Sequence, residues 1–134
     1  MSDTDDDKAA SRPIGAESVV PQTADDTAAL LIYTTFPSEA DAKSVGRALV
    51  EARLAACVNL LPGVIAIFRW QDRLEEAAET GMIVKTTQGR AAEALAEIKR
   101  LHPYETPARL LLPVAGGGAD FLRWIAGEVA GPRS

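Results

Sequence analysis

The sequence predicts an α+β domain on the ferredoxin-like β-α-β-β-α-β plan, closed by one further helix and associating with copies of itself. Three observations carry this. Apolar runs of strand type alternate with two segments whose apolar residues recur at helical spacing. Their order is β-α-β-β-α-β-α, and the first six elements form the split β-α-β arrangement. The strand runs "ALLIY", "VIAIF" and "LLLPV" are apolar throughout, whereas a sheet covered by helices on one side alternates apolar with polar residues. A second apolar face left in water is costly, at roughly 25 cal/mol per Å². Other copies of the chain are therefore expected to cover it, with the closing helix as the competing cover.

The elements follow in order. Residues 1–27, rich in Asp, Ser, Thr, Ala and Pro without an apolar period, read as a disordered acidic tail. Residues 28–134 form the domain. "AALLIYTTF" is the first strand and stops at Pro37. Ser38 offers an N-cap, with Asp41 three residues on, and Ala42, Val45, Leu49 and Ala52 line one helical face. "ACVNLLPGVIAIFRW" is a long extended stretch in which Pro62-Gly63 marks a bulge. The polar "QDRLEEAAET" reads as a hairpin tip and "GMIVKTT" as the returning strand. "QGRAAEALAEIKRL" places Ala91, Ala94, Leu95, Ile98 and Leu101 on one helix face, with Lys99 and Arg100 suiting its C-terminal dipole. Pro103 ends that helix, "RLLLPVA" is the fourth strand, "GGG" a flexible break, and "ADFLRWIAGEVA" the closing helix.

A chain of 134 residues suggests one domain. Residues 1–27 hold seven acids and two bases, which accounts for the whole formal charge of -5. The remaining twelve acids and twelve bases balance, so the domain lacks the basic footprint of a nucleic-acid binder. Cys57 is the sole cysteine, which rules out an intrachain disulfide. The start "MSDTDDDKAASRP" is unlike a signal or transit peptide, and no apolar run reaches the ~18 residues of a membrane span. A soluble, cytoplasmic protein is expected.

The stretches "LAACVNLLPG", "FRWQDRLEEAAETGMIVKTT" and "HPYETP…LLLPV…ADFLRWI" together resemble the CutA family, associated with divalent-cation tolerance. The resemblance runs from Leu30 to Ala130. It implies a tight homotrimer of ferredoxin-like protomers, similar to the PII-type signalling trimers that bind small ligands between subunits. Three positions depart from the family's usual residues: Asp72 stands in place of glycine, Phe68 in place of tyrosine, and Ala108-Arg109 where glutamate is common.

On this footing Cys57 is a candidate soft ligand for copper, although its setting among Ala, Val and Leu better suits a small buried hydrophobe. One thiol cannot enclose a metal, since a closed tetrahedral site wants about four donors. Its prospective partners are His102, the sole histidine and a versatile divalent ligand, and Glu105. Two prolines stiffen the "HPYETP" loop around them. Trp70, Glu75 and Glu79 on the hairpin, Asn59 and Lys85 in strand runs, and Tyr104 beside His102 are the candidate lining of an intersubunit cleft. No Ser-His-Asp, Cys-His or Walker pattern can be assigned. The expected function is non-catalytic divalent-cation tolerance, with copper(II) or another divalent cation as ligand and no organic cofactor. The alternative is a PII-like trimer taking a small ligand or a partner protein in that cleft.

Overall fold

The computed structural model describes residues 18–131. Its first element is a short strand, β1 (Val19–Pro21), followed by β2 (Ala29–Phe36), α1 (Glu39–Glu51), β3 (Cys57–Trp70) and β4 (Arg73–Thr87). A 3₁₀ turn at Gln88–Arg90 leads into α2 (Ala91–Leu101), then β5 (Leu110–Pro113), β6 (Gly116–Gly118) and α3 (Ala119–Val129). The main sheet is antiparallel with order β3-β4-β2-β5, and β1 pairs with β6 in a separate two-stranded ladder.

Local chemistry explains the boundaries. The Ser38 hydroxyl accepts the Asp41 N–H at 3.1 Å and donates to the Asp41 carboxylate at 3.0 Å, closing the first turn of α1. In β3 the register slips between Leu61 and Val64, where Gly63 takes φ +81°. That is the bulge expected at Pro62-Gly63, one extra residue that bends the strand. α1 and α2 share one sheet face. Ala42, Val45 and Leu49 from α1 and Ala91, Ala94 and Ile98 from α2 close over Leu30, Ile32, Phe36, Met82 and Val84.

Three expectations need correction. Val19–Pro21, inside the stretch expected to be a disordered tail, is a strand that finds backbone partners across the chain in Gly116–Gly118. The glycine triplet is therefore a strand, not a flexible break; residues 1–17 lie outside the described residues. "QDRLEEAAET" is no polar tip: the turn is Gln71-Asp72 alone, both at positive φ (49° and 63°), and pairing resumes at Trp70↔Arg73. As the competing cover anticipated, α3 lies over the sheet face opposite α1 and α2, where Ile125 and Val129 bury Ala29 and Ala56. The closing helix thus covers one end of the second apolar face.

Other apolar residues also stay in water, on both sides of the sheet. The outer half of the β3–β4 hairpin shows Ile65 and Ile67 at 66% exposure, Trp70 at 62% and Leu74 at 72%, and edge strand β5 exposes Leu110, Leu111 and Leu112.

Candidate functional site

His102 sits just past the last turn of α2, where its backbone turns extended (φ -75°, ψ 138°). The ring is buried and stacks on Phe36, with centroids 4.3 Å apart and planes 15° apart. Nδ1 accepts the Tyr104 backbone N–H at 3.1 Å, so Nε2 carries the proton and donates to the Thr35 carbonyl at 2.7 Å. Burial pushes the ring's pKa below the usual histidine value. The Thr35 bond and the charges of Asp41 and Glu79 oppose that shift, and Arg109 adds to it.

Beside the ring, Tyr104 donates its hydroxyl to Glu79 Oε2 at 2.8 Å, and Thr35 Oγ1 reaches the same oxygen at 3.4 Å. Burial, reinforced by the hydrogen bond to Glu79, pushes the Tyr104 phenol up to about 12. A phenol so placed stays protonated at neutral pH, and the imidazole has both nitrogens engaged. The cluster therefore fastens the "HPYETP" loop to the end of β2 and to β4, and binding a metal at His102 would require breaking one of its two bonds.

Cys57 stands elsewhere. It opens β3 directly opposite Lys85, and it is half-buried on the face that α3 crosses. Lys85 Nζ lies 5.2 Å from the Phe121 ring centroid of α3, a cation–π geometry. Along β4, Lys85 is six residues from Glu79, or about 20 Å of strand. One chain thus keeps Cys57 apart from His102 and Tyr104. Asn59 is exposed opposite Ile83, Trp70 lies at the far tip opposite Arg73, Glu75 faces Phe68 across the hairpin, and Glu105 is exposed. Among the described residues no three His, Cys, Asp or Glu side chains converge on a point where a metal ion could sit. Clefts of about 320 and 310 Å³ flank the β1 segment, and neither is lined by Cys57 or His102.

Sequence reasoning missed Thr35, Phe36 and Phe121 as the neighbours that hold His102 and Lys85. For Thr35 no signal was available, because the contact that orients the ring is a backbone carbonyl.

The family model described as CutA1 divalent ion tolerance protein matches residues 30–128. The chain belongs to the CutA1 family. The Divalent-cation tolerance protein CutA of Pectobacterium atrosepticum is 41% identical over 97 residues, covering 72% of this chain and 88% of that protein. The solved CutA of Synechococcus elongatus superposes with TM-score 0.78 at 29% identity, over 84% of this chain and 96% of that one. The Archaeoglobus fulgidus structure, described as a periplasmic divalent cation tolerance protein CutA, gives TM-score 0.73 at 40% identity over 75% and 98% of the two chains. The CutA1 family is described by divalent-cation tolerance, and the match does not favour the PII-like signalling alternative. All the candidate residues lie inside the CutA1 match, whereas β1 precedes it. Among the described residues no helix is long and apolar enough to cross a membrane.

Proposed function

We propose that this CutA1 member supports copper tolerance as a non-catalytic homotrimer whose metal contacts are completed between subunits. The observation that carries this reading is the apolar surface one chain leaves in water: Ile65, Ile67, Trp70 and Leu74 on the hairpin arm, with Leu110–Leu112 along the β5 edge. Exposed strands of this kind are covered by other strands or they aggregate. The order β3-β4-β2-β5, with α1 and α2 on one face, fits a ferredoxin-like protomer, and the trimer would be of the PII-like kind. A neighbour's hairpin arm, bearing Trp70 and Glu75, would cross toward the Glu79–Tyr104 cluster.

Cys57 is the leading metal contact, because thiolate is the soft donor that copper favours. Glu105 is the second candidate, being exposed on the loop. His102 is third, because its imidazole already spans Thr35 and Tyr104. A cytoplasmic location accompanies this reading, since a single cysteine suits a reducing compartment; cell fractionation checks it.

The test pairs sedimentation velocity with anaerobic copper titration of the wild type and Cys57→Ser. One three-chain species at micromolar concentration, with copper affinity at least tenfold weaker in Cys57→Ser, is expected. A monomer would remove the shared-site argument, and unchanged affinity would remove Cys57 from it.

A further inference from the structure

The segment Ser18–Gln22 precedes the region the CutA1 model matches, yet it is stitched into the fold at four places. Val19, Val20 and Pro21 pair with Gly118, Gly117 and Gly116. The Ser18 carbonyl accepts the Ala119 N–H at 2.8 Å, satisfying a first-turn donor of α3 that has no side-chain cap. Gln22 N–H reaches the Ala115 carbonyl at 2.8 Å. The Gln22 side chain then bridges β2 and the β5–β6 connection: Nε2 donates to Val114 O at 2.8 Å and to Ala29 O at 3.2 Å, and Oε1 accepts Ala29 N–H at 2.7 Å.

Every one of these contacts bears on the N-terminal end of α3 or the strands beside it. The other end of α3 is gripped by the body of the domain: Arg53 donates to Glu128 O at 2.9 Å, and Arg90 to Val129 O at 2.8 Å and to Gly131 O. Phe121, which covers Lys85 opposite Cys57, is in the first turn of α3, at the end the segment holds.

We infer that Ser18–Gln22 is a latch: docked, it holds Phe121 over the Lys85–Cys57 row, and released, it lets the first turns of α3 swing away from that row about the arginine-held end. A two-stranded ladder of three residue pairs is marginal on its own, and Val19 is 80% exposed. Such a segment opens locally at far lower cost than the main sheet. The latch gates access to the Cys57 face whether or not that thiol meets a metal, so its test does not depend on copper.

The glycine triplet supplies the test. A Cβ on Gly116 would stand 2.3 Å from Val20 O and 2.8 Å from Pro21 Cα, whereas one on Gly117 meets nothing nearer than Leu122 Cδ2 at 3.9 Å. Gly116→Val should therefore expel the latch and Gly117→Ala should leave it docked. The readouts are the rate at which native Cys57 reacts with an aromatic disulfide reagent and amide exchange in the first turn of α3. Gly116→Val should raise the thiol rate by about tenfold or more, equivalent to one or two net hydrogen bonds lost, and speed exchange at Ala119–Leu122. Gly117→Ala should match the wild type in both. If Gly116→Val does not fold, Gln22→Ala, which removes three bonds of the same latch, is expected to act in the same direction. Faster exchange at Ser18–Gln22 with an unchanged thiol rate would overturn the proposal, as would equal acceleration in the two glycine variants.

Discussion

Two buried threonines on the helix-covered face invite the same substitution with opposite results. Thr34 and Thr86 are both at 0% exposure. Thr86 Oγ1 donates to the Leu54 carbonyl at 2.7 Å, while Thr34 Oγ1 has no hydrogen-bond partner among the described residues. A buried hydroxyl without a partner costs about 1–3 kcal/mol. Thr34→Val deletes that cost and adds a methyl worth roughly 0.8 kcal/mol on burial. With some allowance for imperfect fit, a gain of about 1–2 kcal/mol is expected. Thr86→Val gains the same methyl but loses a net ~1 kcal/mol bond and takes a donor from a buried carbonyl, for a loss of about 1–2 kcal/mol. Urea unfolding separates the two: with m near 1–3 kcal/mol per M, the midpoints should move in opposite directions by roughly 0.5–1 M. Chain concentration must be held fixed, because assembly makes apparent stability depend on it. Should both variants shift the midpoint the same way by more than a few tenths of a molar, hydroxyl satisfaction does not govern this face.

Further predictions concern the turn and the loop cluster. Asp72→Gly should stabilise the hairpin by about 0.5–1 kcal/mol, since Asp72 holds φ 63° in a two-residue turn where glycine is unstrained; a lower thermal midpoint would contradict this. Tyr104→Phe should cost about 1–2 kcal/mol through loss of the bond to Glu79. A double-mutant cycle with Glu79→Gln should return a coupling near 1 kcal/mol, and zero coupling would refute the pairing. His102 gives a pH dependence whose sign is fixed by its lowered pKa. The unfolded ring binds a proton more readily, so stability is full above about 6.5 and declines as pH falls past that value until the folded ring itself titrates. Unfolding midpoints between pH 7.5 and 5 should fall in the wild type and flatten in His102→Gln; parallel slopes would exclude the ring as the source.

Much of the scaffold was legible because its determinants are local. Ser38 and Asp41 cap α1 within four residues, Pro62-Gly63 mark the bulge where they stand, and Ala91, Ala94 and Ile98 declare the buried face of α2 by spacing alone. The apolar character of β2 and β3 on both sides likewise predicted a face that α1 and α2 do not cover. What escaped was non-local. β1 and β6 are nearly a chain length apart, and Gly116–Gly118 has no side chains with which to advertise a strand. "RLEEAAET" has too many short and charged residues to read as β, and it is drawn into pairing by Val64–Trp70 opposite. The candidate site divided for the same reason: Cys57 and His102 are close enough in sequence kind to suggest a shared ligand, but the ladder sets them near opposite ends of the sheet.

The two guanidinium grips on the last turn of α3 bear on how the chain resists digestion. An exopeptidase must draw several residues of extended backbone into its cleft, and near this terminus the carbonyls of Glu128, Val129 and Gly131 are held by Arg53 and Arg90. A protease that reaches Gly131 should therefore stall there and leave the helix intact.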